Sequence, residues 1–131
     1  MQIHQSAEDY LETILMLTQR MGKVRSIDVV NELGFTKASV SIAMKKLREN
    51  GYIAVDGEGN LTLLEPGREI AERIYSRHRL LTHFFVQLGV DEEVAAEDAC
   101  KAEHILSEQT LEKIREYALL HDAEDSVQKS E

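Results

Sequence analysis

The chain has 131 residues, of which 43% are hydrophobic and 30% charged, with seven Gly and one Pro. This length supports one domain or two small ones, and the composition indicates a compact, helix-rich protein and excludes a disordered one. No apolar run is long enough to cross a bilayer, and the N-terminus lacks the basic start and apolar core of a signal peptide. The single cysteine excludes an internal disulfide, so we expect a reducing, cytoplasmic location and no membrane partner.

The net charge of −9 would by itself argue against a nucleic-acid partner. The charge is unevenly distributed, however. Residues 20–55 contain seven Lys and Arg against three acids, a local charge of +4, which leaves −13 for the remainder. Because electrostatic fields are local at physiological salt, this basic segment is compatible with binding to DNA phosphates.

The first predicted helix begins near Ser6, with Ser6 as its N-cap, and ends near Met21-Gly22. Its apolar stripe consists of Tyr10, Leu11, Ile14, Leu15 and Leu17. Asp9 and Glu12 lie off this stripe on one side of the helix. In the simplest interpretation Asp9 closes a capping box and Glu12 is a surface residue.

A helix-turn-helix pattern follows, in which Ser26 caps a short helix from Ile27 to Leu33 and Gly34-Phe35 forms the turn. Thr36 caps a longer basic helix that runs to about Asn50, and Gly51 follows it. The predicted core residues are Val29, Val30, Leu33, Val40, Met44 and Leu47. The residues predicted to contact DNA lie at the start of the second helix, on its basic face and just before the first: Arg25, Thr36, Lys37, Ala38, Ser39, Ser41, Lys45 and Lys46.

Two short apolar segments, 52–55 and 61–64, flank the Gly-rich turn 56–60 and predict a β-hairpin. A hairpin directly after a helix-turn-helix is typical of a winged helix, although an unrelated small α+β fragment would show the same order. The tip carries Asp56 and Glu58, so we do not expect it to be a major phosphate contact.

Three helices are predicted beyond the hairpin. Pro66 starts a long helix that ends at Gly89 and carries His78 at the flank of an apolar stripe formed by Ile70, Ile74, Leu81, Phe84, Phe85 and Leu88. Asp91 caps a helix with Cys100, Glu103 and His104 at positions i, i+3 and i+4. Ser107 caps a last helix through Leu120, and the polar tail from His121 is expected to fray.

On the helix after Asp91, the spacing places a thiol, a carboxylate and an imidazole on one face, and all three bind divalent transition metals. The packing face on the other side consists of Ala95, Ala99, Ala102, Ile105 and Leu106. The alternative is that Cys100 is a small buried hydrophobe and that Glu103 and His104 are solvated. A lone histidine such as His78 is likewise more often a core or edge residue than a ligand.

These elements predict a mostly α fold in two parts: a winged helix-turn-helix DNA-binding domain over residues 1–72, and a helical metal-binding and dimerisation domain over 73–131. The second part has too few helices to bury its apolar faces alone. We therefore expect a homodimer, whose two reading helices would suit a palindromic operator in double-stranded DNA.

At three separated positions the chain resembles the diphtheria toxin repressor / manganese transport regulator family of metal-dependent transcriptional repressors. The matching stretches are Glu8-Asp9-Tyr10-Leu11-Glu12, Arg77-His78-Arg79-Leu80-Leu81, and Gly89-Val90-Asp91-Glu92-Glu93 with Ala99-Cys100-Lys101-Ala102-Glu103-His104. The resemblance covers nearly the whole chain. Because the chain stops before the SH3-like third domain of the iron-responsive branch, its length is similar to that of the manganese-responsive branch.

The resemblance implies a metal site built by the N-terminal helix, the long helix and the helix around residue 100. The ligands that it implies are Asp9, Glu12, His78, Cys100, Glu103 and His104. The position of Cys100 is Glu in the manganese branch and Cys in the iron branch, whereas Asp9 matches the manganese branch. Thr82 and Ala96 stand where the iron branch has further ligands.

This mixed ligand set leaves Mn(II) and Fe(II) open, with one or two ions per subunit and a slight preference for Mn(II). A thiolate favours Fe(II), Co(II) and Zn(II) over Mn(II), and Cys100 could instead bind through its backbone carbonyl. The function implied is a repressor that is activated by a metal bound between the first helix and the dimerisation domain.

Two other functions remain open. One is a winged-helix regulator that is not controlled by metal. The other is a small metalloenzyme, against which the sequence offers no identifiable nucleophile and base.

Overall fold

The computed structural model describes residues 5–130, with side chains described for residues 6–123. Within these residues the element order is α1 (Gln5–Met21), α2 (Ser26–Leu33), α3 (Lys37–Glu49), β1 (Ile53–Val55), β2 (Leu61–Leu63), α4 (Glu65–Gln87), α5 (Glu92–Ala102) and α6 (Glu108–Ser130). The chain divides after Ile74 into two compact units, called here the N-terminal and C-terminal units. None of the helices in this described part combines the length and apolar character that crossing a bilayer requires.

The N-terminal unit contains the predicted helix-turn-helix. Gly34 ends α2 in the left-handed conformation, with φ at 71°, and its N–H donates to the Val30 carbonyl over 2.8 Å. At the start of α3 the Thr36 hydroxyl accepts a hydrogen bond from the Ser39 N–H. The turn glycine and the α3 cap are therefore confirmed, because both follow from local backbone chemistry.

Buried side chains from every element form the core of this unit. The α1 stripe is fully confirmed, since all five of its predicted members are buried: Tyr10, Leu11, Ile14, Leu15 and Leu17. From the helix-turn-helix, Val29, Val40, Met44 and Leu47 are buried, whereas Val30 and Leu33 are only half-buried. The predicted core is therefore right in four of its six members.

The predicted hairpin is also present. Strands β1 and β2 are antiparallel, with Ile53 opposite Leu63 and Val55 opposite Leu61. Ile53, Leu61 and Leu63 are buried, so the hairpin packs one apolar face against the helices of its own unit. The Leu61 N–H also donates to the Val24 carbonyl over 2.7 Å, which joins the hairpin to the segment before α2.

Three predicted helix starts are wrong by one or two residues. Helix α1 already includes Gln5, so Ser6 is not its N-cap and Asp9 does not close a capping box with it. The N-cap of α2 is Arg25 and not Ser26, because Asp28 accepts from the Arg25 N–H over 2.9 Å. Helix α4 begins at Glu65, which leaves Pro66 in its first turn, where a missing N–H has no cost.

The C-terminal unit packs α4, α5 and α6 around Leu81, Ala99 and Leu111. Partly buried residues surround these three: Leu80, Phe85, Ala102, Leu106 and Ile114. Two members of the predicted apolar stripes do not take part, since Leu88 is 61% exposed and Ile105 is 77% exposed. Both follow the last full turn of their helices, so the helical periodicity no longer directs them inward.

Two helix ends in this unit differ from the prediction. Helix α5 ends at Ala102, so Glu103 is its C-cap and His104 lies in the following turn. Helix α6 continues to Ser130, where a frayed tail after Leu120 was expected. Residues 121–130 contain neither Gly nor Pro, so the sequence has no residue that would force the helix to stop.

Gly67, in the first turn of α4, lies against the backbone of the N-terminal unit. A Cβ placed on it would be 2.2 Å from the Tyr52 carbonyl oxygen. The same carbonyl accepts a hydrogen bond from the Leu64 N–H over 3.0 Å and is therefore not free to move away. The close approach of α4 to the strand region thus requires a residue without a side chain.

We expect Gly67→Ala to destabilise the protein by about 1–3 kcal/mol, because the added methyl forces the backbone of Tyr52 aside. In a helix without this contact, Gly→Ala would stabilise the protein by roughly 0.8–1 kcal/mol. The change in the free energy of unfolding therefore has opposite signs with and without the contact to Tyr52. Urea unfolding followed by circular dichroism measures the difference.

Gly57→Ala is the matched control, since nothing lies within 4 Å of its Cβ position. We expect the control to change the free energy of unfolding by less than about 0.5 kcal/mol. A Gly67→Ala protein that unfolds at the same or a higher urea concentration than the wild type would contradict the close contact.

Candidate functional site

A buried carboxylate, Glu103, is the centre of the chemical site in the C-terminal unit. Its side chain is 0% exposed at the C-cap of α5, and its backbone N–H donates to the Ala99 carbonyl over 2.9 Å. His78 Nδ1, on α4, lies 3.0 Å from Glu103 Oε2. The next residue, His104, places its Nε2 3.5 Å from Oε1. We call His78, Glu103 and His104 the Glu103 cluster.

The side chains of the Glu103 cluster are largely buried. The His104 side chain is only 2% exposed and that of His78 is 21% exposed. Glu103 Oε1 accepts no hydrogen bond from any residue that the structure describes. Burying a carboxylate with an unsatisfied oxygen is costly unless a positive charge or a metal ion compensates it.

Arg77, next to His78 on α4, also contacts Glu103. Its guanidinium donates to the Glu103 backbone carbonyl over 3.2 Å and pairs with the Glu108 carboxylate in the first turn of α6. Arg77 belongs to one of the stretches that resemble the family, but its contacts could not be read from the sequence, because its two partners lie 26 and 31 residues away.

The remaining predicted ligands lie on two helices. Cys100 is exposed on α5, one turn before Glu103, which excludes the interpretation of a buried structural cysteine. On α1, in the N-terminal unit, Glu12 is buried and Asp9 is half-buried, so Glu12 is not the surface residue of the simplest interpretation. Burial, and secondarily the charge of Asp9, raise the pKa of Tyr10.

The Glu103 cluster suits a divalent metal ion. It offers two imidazoles and one carboxylate, which are ligands for Mn(II), Fe(II) and Zn(II), and the thiol of Cys100 lies one helical turn away. Glu103 Oε1, which has no hydrogen-bond donor among the described residues, could bind a cation. The alternative of a solvated Glu-His pair is therefore wrong, because both side chains are buried.

A second candidate site is the outward face of α3 in the N-terminal unit. Seven of the eight residues predicted to contact DNA are exposed at its start or along it: Thr36, Lys37, Ala38, Ser39, Ser41, Lys45 and Lys46. The opposite face carries Val40, Met44 and Leu47, all buried, so packing determines which side of α3 points outward. The exposed face combines lysines with small residues and hydroxyls, as a helix that enters a DNA groove requires.

Arg25, the eighth predicted DNA contact, is part of the hairpin support. Its guanidinium donates to the Glu58 carbonyl, and its backbone forms an antiparallel bridge with Asn60. Gly59 packs against it, since a Cβ there would lie 3.3 Å from the guanidinium. Arg25 remains exposed, so this anchoring role leaves part of its surface open to a phosphate.

Asp56 organises the hairpin turn. Its Oδ1 accepts hydrogen bonds from the backbone N–H groups of Asn60 and Glu58, and its Oδ2 accepts from the Asn60 side-chain amide over 3.0 Å. These bonds, led by the Asn60 backbone bond, lower the pKa of the Asp56 carboxyl. The acidic residue at the tip therefore has a structural role within the turn.

Both units match domains of one protein family. Residues 2–61 match the family domain described as "Iron dependent repressor, N-terminal DNA binding domain". Residues 64–122 match the domain described as "Iron dependent repressor, metal binding and dimerisation domain".

Among full-length relatives, the chain is 36% identical over 113 residues to an uncharacterised HTH-type transcriptional regulator of Methanocaldococcus jannaschii, covering 85% of this chain and 90% of the relative. It is 32% identical over 124 residues to the HTH-type transcriptional regulator MntR of Bacillus subtilis, covering 95% of this chain and 87% of the relative.

Solved structures of metal-dependent regulators are also similar to this chain. A manganese-dependent transcriptional repressor in complex with manganese superposes with a TM-score of 0.78 at 29% identity, over 86% of this chain and 52% of the other. The manganese regulator SloR superposes with a TM-score of 0.74 at 25% identity, over 89% of this chain and 54% of the other. The chain thus spans about half of the length of each of these solved chains.

We expect the hairpin turn to loosen in acid. Because the pKa of Asp56 is lowered in the folded protein, its stabilising effect is present at neutral pH and is lost as the pH falls through that lowered pKa. Amide hydrogen exchange at Glu58 and Asn60, measured by NMR across the acidic range, should accelerate relative to the other strand amides after correction for the intrinsic rate.

Asp56→Asn is the control, since it retains a side-chain oxygen acceptor but has no titratable group. The relative protection of the two amides should then be independent of pH. Identical pH profiles in the wild type and the variant would show that the Asp56 charge does not hold the turn.

Proposed function

Because the chain belongs to the iron-dependent repressor family, the diphtheria toxin repressor / manganese transport regulator family that its sequence resembles, we propose that it is a metal-responsive transcriptional repressor that controls metal-ion homeostasis. The DNA-binding domain of the family, residues 2–61, lies within the N-terminal unit. The metal-binding and dimerisation domain, residues 64–122, begins at the end of that unit and covers most of the C-terminal unit. Family members are transcriptional regulators and not enzymes, which sets the metalloenzyme interpretation aside. As a regulator that acts on DNA, it belongs in the cytoplasm.

One observation carries the metal-dependent part of the proposal: the fully buried Glu103 carboxylate beside two histidines, with Oε1 unsatisfied among the described residues. We assign His78, Cys100, Glu103 and His104 as ligands in the C-terminal unit. Asp9 and Glu12 on α1 complete the set by the family resemblance, for one or two ions per subunit. When bound, the ion supplies positive charge that offsets these carboxylates.

The physiological ion proposed is Mn(II) or Fe(II). The carboxylates suit Mn(II), and the imidazoles suit Fe(II) as well. Two relatives of this chain are named manganese regulators, which favours Mn(II). If Cys100 binds through its sulfur, it disfavours Mn(II), because a thiolate is a softer ligand that prefers Fe(II), Co(II) and Zn(II).

The ligands explain how metal would control DNA binding. Asp9 and Glu12 belong to the helix on which the helix-turn-helix packs, and their negative charges would repel that of Glu103 in the absence of a cation. A bound cation would neutralise these charges, and α1 would then be held in one arrangement. DNA would bind this ordered form of the protein more tightly. Coupling of this kind amounts to about 1–3 kcal/mol.

The DNA-bound form proposed is a homodimer on a palindromic operator. The C-terminal unit has a small core and leaves several large apolar residues exposed: Val86, Leu88, Val94, Ile105, Tyr117, Leu119 and Leu120. A second copy of the chain would cover part of this surface. Two-fold symmetry would then present two α3 helices to two half-sites of opposite orientation.

Contacts to DNA would come from the exposed face of α3 and from Arg25. Lys37, Lys45 and Lys46 supply positive charge for phosphates. Thr36, Ala38, Ser39 and Ser41, at the beginning of the helix, are short enough for the backbone to approach base edges.

Metal should strengthen operator binding by about 5–150-fold, the usual range for coupled sites. His78→Gln should abolish this increase, because it removes an imidazole ligand of the proposed centre. The measurement is fluorescence anisotropy of a duplex selected from a random library, with chelator or with Mn(II), Fe(II), Co(II) or Zn(II). The same series with Cys100→Glu reports whether the Cys100 thiolate is a ligand, because loss of a thiolate ligand should shift the order of activation towards Mn(II).

His83→Gln is the matched control on the same helix, since His83 pairs with Asp122 on α6 over 2.9 Å and does not belong to the Glu103 cluster. This control should keep the full response to metal. Equal affinity of the wild type with chelator and with every ion would end the metal-dependent account and favour a winged-helix regulator that is not controlled by metal.

Removal of one phosphate-binding lysine should weaken DNA binding at every sequence and reduce the salt slope. For Lys45→Ala and Lys46→Ala, we expect the slope of log affinity against log salt to fall by about 1 each. The measurement is anisotropy of the selected operator and of a scrambled duplex, at several salt concentrations and saturating Mn(II).

Lys113→Ala provides the comparison, because Lys113 is an exposed lysine of the C-terminal unit that pairs with Glu116 over 3.4 Å. Its salt slope should equal that of the wild type. If all three variants lose the same amount, the effect reflects net charge, and α3 is not the DNA-binding face.

A further inference from the structure

We infer that Arg77 is a positioning residue for the metal ligand Glu103. Its guanidinium holds the main chain of Glu103 and thereby sets where the carboxylate stands. This inference rests on the proposed function, because it gives Arg77 a purpose only if Glu103 binds an ion.

The main chain at Glu103 needs such a partner. Glu103 is the C-cap of α5, and carbonyls at the end of a helix have no intrahelical donor. Arg77 supplies a donor 3.2 Å from this carbonyl, and its other terminal nitrogen binds the Glu108 carboxylate. One guanidinium therefore joins the end of α5 to the beginning of α6 and brackets residues 103–107, the segment that contains both Glu103 and His104.

Two consecutive residues of α4 act on the two ends of Glu103. Arg77 contacts the carbonyl, and His78 Nδ1 lies 3.0 Å from carboxylate Oε2. With its main chain and one carboxylate oxygen both held, Glu103 has little freedom left. These two contacts also fix the position of the other carboxylate oxygen, Oε1, which accepts no hydrogen bond from any described residue. This arrangement keeps the unsatisfied oxygen at one place in the cluster.

The Arg77 side chain is only 14% exposed, although its partner Glu108 is 79% exposed. The bond to the Glu103 carbonyl is therefore the more shielded of the two contacts that the guanidinium makes. A guanidinium has a rigid fork of donors that can serve a carbonyl and a carboxylate together, which the single ammonium of lysine does not reproduce. Partners of metal ligands that hold them by hydrogen bonds typically contribute about 10–100-fold to metal affinity.

The test measures Mn(II) affinity of the full chain by competition with a fluorescent chelator. Arg77→Gln should weaken Mn(II) binding by about 10–100-fold, and Arg77→Lys should weaken it as well because lysine lacks the fork. Glu108→Gln keeps an acceptor but loses the charge, so its loss should be smaller. Arg79→Gln is the matched control on α4, since Arg79 is exposed and lies over the Tyr75 ring, and it should bind Mn(II) as the wild type does.

Two further readouts separate positioning from general stability. Thermal unfolding in chelator reports the metal-free fold, and the electron paramagnetic resonance spectrum of bound Mn(II) reports the ligand geometry. We expect Arg77→Lys to alter the spectrum and the affinity while it unfolds within a few degrees of the wild type. If Arg77→Gln does not fold, Arg77→Lys and Glu108→Gln test the same contact.

The inference is overturned if folded Arg77 variants bind Mn(II) with wild-type affinity and give an unchanged spectrum. This holds even if their unfolding temperature is lower than that of the wild type. The proposed function fails differently: the wild type itself would bind neither Mn(II) nor Fe(II), and that result would remove this inference as well. If the wild type and the Arg77 variants bind Mn(II) equally well, only the positioning role is overturned.

Discussion

The chemistry of this protein depends on one buried charge, the carboxylate of Glu103. A carboxylate removed from water is costly, and the protein offsets this cost only in part, through His78 at one oxygen and His104 near the other. The buried apolar residues that the structure describes in the C-terminal unit are few, and most are alanine: Leu81, Ala95, Ala99, Leu111 and Ala118. A core of this size contributes little that could offset an uncompensated charge. The cation proposed to bind this cluster would therefore also stabilise the folded unit, which would link the metal response to its order.

The N-terminal unit is organised around the exposure of one helix face. Burial of Val40, Met44 and Leu47 on one side of α3 leaves its lysines and hydroxyls on the other. The hairpin is held in place by main-chain bonds to the segment before α2 and by the Arg25 guanidinium on the Glu58 carbonyl. Its acidic tip residue Asp56 is used within the turn, so the basic character of this unit comes from α3 and the residues around it.

Arginine has a related role in both units. Arg25 joins the start of α2 to the hairpin, and Arg77 joins the end of α5 to the beginning of α6. In each case the guanidinium donates to a backbone carbonyl that regular secondary structure leaves without a donor. Such contacts give precise positions to short connecting segments, where backbone hydrogen bonding alone is insufficient. One of these segments precedes the helix-turn-helix, and the other contains the proposed metal ligands Glu103 and His104.

The elements with local signals could be predicted from the amino-acid order alone. The Gly34 turn, the Thr36 cap, the hairpin and the α1 stripe follow from backbone conformation and apolar periodicity within a few residues, and the family motifs identified Glu103 and its histidines as candidates. Helix ends could not be placed to the residue, because moving the start of α2 by one residue, or ending α5 before Glu103, alters no strong local preference. The burial of Glu103 and the contact from Arg77, 26 residues earlier in the chain, emerged in the folded protein, since both depend on how three helices pack together.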